Sequence, residues 1–370
     1  MRIVIISDIN NTNSEIVKTG NQLFEHCGNI DISIVQEIYK SYGYETVIYN
    51  TKMKINKSDI VLFSDRINFY KGWRFLCRKG LIRNTICIMT ESEVVDRKCS
   101  TMYLQVIKDA FPIIMTYQDE IIDNVKFHKY WPSINCNTYM EKSKIGYQEK
   151  RLAVIICTNQ LHDQMPGELY SERKKVIEYF ESNGQYTFGV YGRYWDGYRN
   201  WGGACRSKAE IYHKYRFAIC LENSRANGYI TEKIFDCFQC GIVPVYGGAL
   251  NVTDYIPSNC YIDYFSFCNL DEMVNYLDNM NEEEYSKYLN AIQSFLGSEK
   301  LKEFNVESRV GKLCSVISDL PGKMKIRLQV HINMFIKFGI DEWRVRLIQS
   351  ATYVKNRIPL IRRLKIKIKH

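Results

Sequence analysis

No stretch of the 370-residue chain stays apolar for the ~18 residues a membrane-spanning helix needs, which excludes a helical membrane protein. The opening MRIVIISDIN is too short in apolar length and too soon charged for a signal peptide, and reads as a first β-strand. The sequon Asn251-Val252-Thr253 is therefore expected to carry no glycan. Cys237 and Cys240 form a CxxC, but no second pair of Cys or His stands at zinc spacing, so both are expected to pack along a helix. The 13 Cys are odd in number and scattered through apolar runs such as TICIM and AVIICT, which fits reduced, buried thiols in a cytoplasmic compartment. No Asp or Glu occurs from Trp343 to His370, against nine Lys and Arg; the remainder carries 41 basic and 41 acidic residues. The net charge of +9 thus belongs to a tail, and a neutral body argues against nucleic-acid binding. No repeat of solenoid period is present.

What is there is ordinary for a soluble globular protein: 46% hydrophobic and 25% charged residues, in a chain long enough for two domains. The 27 tyrosines suit strands and polar, sugar-like ligands, although an AT-rich coding sequence gives the same excess. The first half alternates short β runs (RIVIIS, ETVIY, DIVLFS, TICIM, PIIMT) with helix-length segments, the pattern of a parallel sheet covered on both faces. A polar, Lys-rich passage at 140–151 reads as a linker, and the pattern then restarts with RLAVIICTN. The expected organisation is an α/β domain over 1–145, a second over 150–320 and a basic helical extension over 321–370. KIKIK near the end also alternates with period two, so strand stays open there.

Residues 222–248 concentrate the polar chemistry. Glu222-Asn223-Ser224 follows a buried strand, where side chains face a cleft, and Asn227-Gly228 is a turn dipeptide. Thr231 is the expected N-cap of a helix whose first turn holds Glu232 and Lys233. Free N–H groups and partial positive charge make that helix start a seat for phosphate, and Lys233 adds a full charge. Glu232 is better suited to sugar hydroxyls. Gly241 is expected to end the helix in a left-handed conformation. A plain amphipathic helix with Glu and Lys facing water stays open on spacing alone.

The longer string YRFAICLENSRANGYITEKIFDCFQCGIVPVYGG resembles the signature of the α-1,3-fucosyltransferases, glycosyltransferase family 10, with Leu221 where Phe is usual. Islands outside it are similar to the family too: RLAVIICTN, leading to Arg173 (Arg151 being the weaker match), FGVYGR, the acidic CIMTESEVV and MTYQDEI. A bacterial-type member is implied, with a GT-B fold: two Rossmann-like domains facing a central cleft. The resemblance implies an inverting transfer of fucose from GDP-fucose to a glycan hydroxyl, an α-1,3 linkage to a GlcNAc- or Glc-type residue, in surface polysaccharide or lipopolysaccharide synthesis. It implies no obligatory metal, a divalent ion being at most stimulatory. Asp119-Glu120 and Asp271-Glu272 are acidic pairs outside any DxD-like context.

By the same resemblance Glu91 is the general base, with Glu93 as runner-up because an alternating strand end would point both one way. Arg173 and Lys233 hold the diphosphate, Asn223, Tyr229 and Glu232 line the nucleotide-sugar site, and Glu222 faces the reacting sugar. Two other readings stand beside this one: a same-fold transferase using another GDP-sugar, and a non-catalytic glycan-binding protein on the same scaffold. The tail 343–370 reads either as a helix packed on the body or as peripheral contact with an anionic membrane, which would place a cytoplasmic protein at the inner face of the cell membrane.

Overall fold

The computed structural model describes residues 1–343 apart from 9, 11–31, 65, 132–133, 135–137, 139, 142, 161–164, 322–323 and 341. Two parallel sheets form the framework. The first has six strands in the order β2-β1-β3-β4-β5-β6, from β1 (Arg2–Ile6), β2 (Glu45–Ile48), β3 (Ile60–Phe63), β4 (Thr85–Met89), β5 (Ile113–Thr116) and β6 (Phe127–Lys129). The second has five in the order β11-β10-β9-β7-β8, from β7 (Arg151–Ile156), β8 (Phe188–Tyr191), β9 (Tyr215–Leu221), β10 (Val243–Gly247) and β11 (Ile262–Asp263). Each run of β-branched and apolar residues became a strand because both sheet faces are covered.

Alternation along β1 shows the two layers. Ile3 and Ile5 join Val35 and Tyr39 of α1 (Ile32–Ser41) on one face. Val4 and Ile6 join Trp73 and Leu76 of α2 (Phe69–Lys79) and Leu104 of α3 (Thr101–Ile107) on the other. The second sheet packs α4 (Tyr170–Ser182) and α7 (Leu270–Asn279) on one face. The short α5 (Lys208–Tyr212), α6 (Glu232–Gln239) and α8 (Glu282–Leu296) cover the other.

The linear division of the chain needs correcting. Trp131, Ile134 and Met140, placed in the first domain by sequence, sit in the core of the second. In return α9 (Val306–Ile317) buries Val310, Leu313 and Ile317 against the first sheet. The start of the expected extension is a packed helix: α10 (Leu328–Met334) buries Val330 and Met334, and Phe338 follows them, on the other face of that sheet. Apolar residues at helical spacing show that a helix is amphipathic but not which sheet it covers. Residues 344–370 lie outside the described residues, so the expected helical tail does too. No helix among the described residues is long and apolar enough to cross a membrane.

In both sheets the strand order reverses beside the first strand of the domain, at β1/β3 and at β7/β9. Crevices open at such switch points, outside the carboxyl ends of the strands. Here the two face one another, and the cleft between them, about 660 Å³, is lined by Ser7 and Ser64 from one sheet and Cys157 and Asn223 from the other.

Candidate active site

β9 delivers Glu222 to the base of the cleft wall, and the chain returns through Gly228 to start α6. Thr231 is the N-cap: its backbone is extended, with φ −119°, and its side chain accepts the Lys233 N–H at 3.5 Å. Glu222 is fully buried. Its carboxylate accepts the Thr231 N–H at 2.8 Å, the Thr231 hydroxyl at 2.7 Å and Lys233 Nζ at 3.0 Å. Lys233 Nζ also donates to Thr231 Oγ1 at 2.9 Å. Two of the three ammonium donors go to these partners, and the side chain lines the cleft. Burial alone would lower the Lys233 pKa, but Glu222 and then Glu232, 3.6 Å away, outweigh it and raise it. Lys233 is thus a fixed cation at a helix start.

A second cation comes from α4. Arg173 is buried, donates to the Leu221 carbonyl at 2.6 Å and to Asn223 Oδ1 at 3.0 Å, and lies 4.7 Å over the Tyr170 ring. Asn223 Nδ2 reaches the Tyr229 hydroxyl at 3.4 Å. Tyr229 is buried, with its ring 4.8 Å from that of Tyr117 in the first domain. Burial pushes the Cys157 thiol up to about 11, with Arg173 opposing, so it faces the cleft uncharged at neutral pH.

The opposite wall carries Arg66, Thr90 and Glu91. Arg66 Nη1 pairs with Glu91 Oε1 at 2.7 Å. The walls are within electrostatic reach of one another. Burial raises the Tyr170 pKa, Arg173 and Lys233 lower it from one side, and Glu91 raises it from the other.

The sequence profile described as glycosyltransferase family 10 (fucosyltransferase) C-term matches residues 149–333, half of the chain. The chain belongs to glycosyltransferase family 10. Among relatives of this family, an α-(1,3)-fucosyltransferase of Helicobacter pylori is 32% identical over 72 residues, covering 20% of this chain and 15% of that protein. One of Caenorhabditis elegans is 29% identical over 200 residues, covering 50% and 49%. The chain thus spans at most about half the length of these relatives. A crystal structure of an α1,3-fucosyltransferase with GDP-fucose superposes with a TM-score of 0.51 at 13% identity, covering 88% of this chain and 92% of the other. At that identity the likeness concerns the GT-B fold.

Within this family 10 fold, Glu91, Arg173, Asn223, Tyr229, Glu232 and Lys233 all line one cleft. Two expectations need correction. Glu222 does not line the cleft: it is buried beneath Thr231 and Lys233 and holds both. Glu93 does not line the cleft with Glu91. The alternation argument assumed a strand, but β4 ends at Met89 and residues 91–95 form a bend and a turn. Arg151, the weaker match for the phosphate Arg, begins β7 at the far end of the strand from Cys157 and binds Tyr215 and the Phe188 carbonyl. Tyr170 and Arg66 were missed. Tyr170 stands three residues before Arg173 on α4, a helical spacing that could have found it; the pairing of Arg66 with Glu91 is tertiary and has no local signal. Among the described residues no group of three or more His, Cys, Asp or Glu converges to hold a metal ion.

Proposed function

We propose that this chain transfers fucose from GDP-fucose to a hydroxyl of a glycan acceptor, with inversion at the anomeric carbon. The observation that carries this reading is the opposition of two held cations, Arg173 and Lys233, at one wall of the cleft to the carboxylate of Glu91 at the other. The diphosphate lies against Arg173, Lys233 and the N–H groups at the start of α6, which together offset the charge that builds on the leaving group. Glu232 accepts hydrogen bonds from sugar hydroxyls. Glu91 takes the proton of the acceptor hydroxyl as its oxygen bonds to the anomeric carbon and GDP departs. The relatives' names and the GDP-fucose complex support fucose as the sugar and an α-1,3 linkage as the product. Surface polysaccharide or lipopolysaccharide is the acceptor class proposed.

The test is release of GDP from GDP-fucose in the presence of a panel of type-2 N-acetyllactosamine acceptors, with calorimetric titration of GDP, GDP-fucose and GDP-mannose. The reading predicts turnover and tighter binding of GDP-fucose. If GDP binds but GDP-fucose is neither cleaved nor preferred over GDP-mannose, the transferase uses another GDP-sugar. If none binds, the diphosphate site itself is misread.

The basic run 343–370 supports a peripheral contact with anionic membrane. The segment leading into it exposes Leu328, Ile332, Phe335 and Ile336, and Trp343 at the start of the run is exposed too. Deleting 343–370 is expected to abolish cosedimentation with phosphatidylglycerol vesicles and to leave turnover on a soluble acceptor intact; retained cosedimentation would refute the contact.

A further inference from the structure

Away from the reacting groups, one carboxylate joins the two domains. Asp119, just past β5 in the first domain, accepts Lys129 Nζ at 2.6 Å on one oxygen. Its other oxygen accepts Asn251 Nδ2 and the Tyr255 hydroxyl, each at 2.8 Å, from the second domain. Lys129 is clamped as well: its Nζ donates to the Tyr117 carbonyl at 2.8 Å and lies 3.9 Å from the Trp131 ring centre and 4.9 Å from that of Tyr255. Ammonium over an aromatic face adds attraction that is little screened when both are partly buried.

The cluster reaches the cleft through one continuous set of contacts. Asn251 Oδ1 accepts the Gly228 N–H at 2.8 Å. Gly228 has φ +71°, and a Cβ there would lie 2.3 Å from the Tyr117 carbonyl oxygen and 2.7 Å from Asp119 Oδ2, so only glycine fits the seam. The next residue is Tyr229, its ring tilted against that of Tyr117 and its hydroxyl bonded to Asn223, which in turn accepts from Arg173. Each link is a hydrogen bond, a ring contact or a peptide bond, and both ends of the set are held by charge.

We propose that Asp119 is a positioning residue for the nucleotide-diphosphate site: by fixing Asn251 and Gly228 it sets Tyr229 and Asn223, and through them the guanidinium of Arg173. This rests on the reading of Arg173 and Lys233 as a diphosphate site. A supporting shell of this kind holds binding groups within a few tenths of an ångström of their working geometry. The acidic pair Asp119-Glu120 is thereby given a role that metal binding does not explain; Glu120 adds a second tie, accepting Asn227 Nδ2 at 2.6 Å.

The test is calorimetric titration of GDP into the full chain carrying Asp119→Ala, the milder Asn251→Ala, Asn223→Ala, and Asp119→Ala combined with Asn223→Ala, with melting temperature measured on each. Wild-type titration comes first: if GDP does not bind, the diphosphate reading has failed, and with it this inference. If GDP binds, Asp119→Ala and Asn251→Ala are each expected to raise Kd about tenfold, the worth of one well-placed hydrogen bond. In the Asn223→Ala background Asp119→Ala is expected to change Kd by less than about twofold, because the route to Arg173 is already cut. A seam that only stabilises the fold would lower the melting temperature and leave the Kd of folded protein unchanged in both single variants, and that result overturns the proposal. Additive effects of Asp119→Ala and Asn223→Ala overturn it equally.

Discussion

Replacing Lys233 by Met separates two roles that one side chain performs. Met keeps the apolar stem and removes the ammonium. Glu222, fully buried, then loses its counter-charge and keeps only the Thr231 hydroxyl and N–H. Removing one partner of a buried ion pair costs about 3–5 kcal/mol. Lys233 is 27% exposed, so water screens part of this, and about 2–3 kcal/mol is the expected loss in unfolding free energy. For a domain of this size that lowers the melting temperature by roughly 4–12 °C. GDP affinity falls separately, because a charge-assisted hydrogen bond to phosphate is worth about 1.5–3 kcal/mol, or roughly 10- to 100-fold in Kd. Adding Glu222→Gln to Lys233→Met removes the stranded charge. The double variant is expected to regain about 1–2 kcal/mol of stability relative to Lys233→Met. It regains none of the GDP affinity, since the phosphate partner is still missing. Urea unfolding with and without GDP, together with calorimetry, measures both quantities. Wild-type GDP affinity in Lys233→Met refutes the phosphate role. Equal stability of the single and double variants refutes the account of Glu222 as a carboxylate that needs its cation.

Three further outcomes follow from the same geometry. Glu91→Gln is expected to lower transfer by about 100-fold or more, as loss of a general base does, while calorimetric GDP affinity changes less than threefold; near-normal turnover would reassign the base. Gly241→Ala places a Cβ at φ +61° and 2.6 Å from the Glu141 carbonyl oxygen, and is expected to cost about 2 kcal/mol or more in urea unfolding. Burial pushes the Asp119 carboxyl up, but hydrogen bonds from Lys129, Asn251 and Tyr255 outweigh it and hold it below the usual carboxylate range. With its folded pKa below the unfolded one, its stabilisation is complete above about pH 3.9 and is lost as pH falls through the lower folded value. Asp119→Asn should therefore flatten the acid limb of the stability curve in that window, and an unchanged limb would show that the carboxylate is not coupled to folding.

Elements and local chemistry were legible in sequence. The β runs became parallel strands, Thr231 became the N-cap, and Gly241 took the left-handed conformation. Those features depend on periodicity and on side chains acting within a few residues of themselves. What escaped depends on distance. Glu222 reads as a cleft carboxylate because it follows a strand, and only packing shows that Thr231 and Lys233 fold back over it. Glu93 reads as a partner of Glu91 only if the strand continues past Met89. The return of residues 306–317 to the first sheet is invisible to any local pattern, since an amphipathic stripe fits either domain. Asp119 shows only a pair of acids in sequence, because its partners lie 10, 132 and 136 residues away.

Asn251 heads the triplet Asn-Val-Thr, the acceptor pattern for N-linked glycans. The side-chain nitrogen that would carry the sugar is the one that bonds Asp119, and the amide oxygen beside it holds Gly228. A glycan added during secretion would occupy the seam before the domains close on it. Production in a secretory eukaryotic host therefore carries a specific hazard, and an intracellular host avoids it: the same polypeptide would emerge from the two routes with different domain joints.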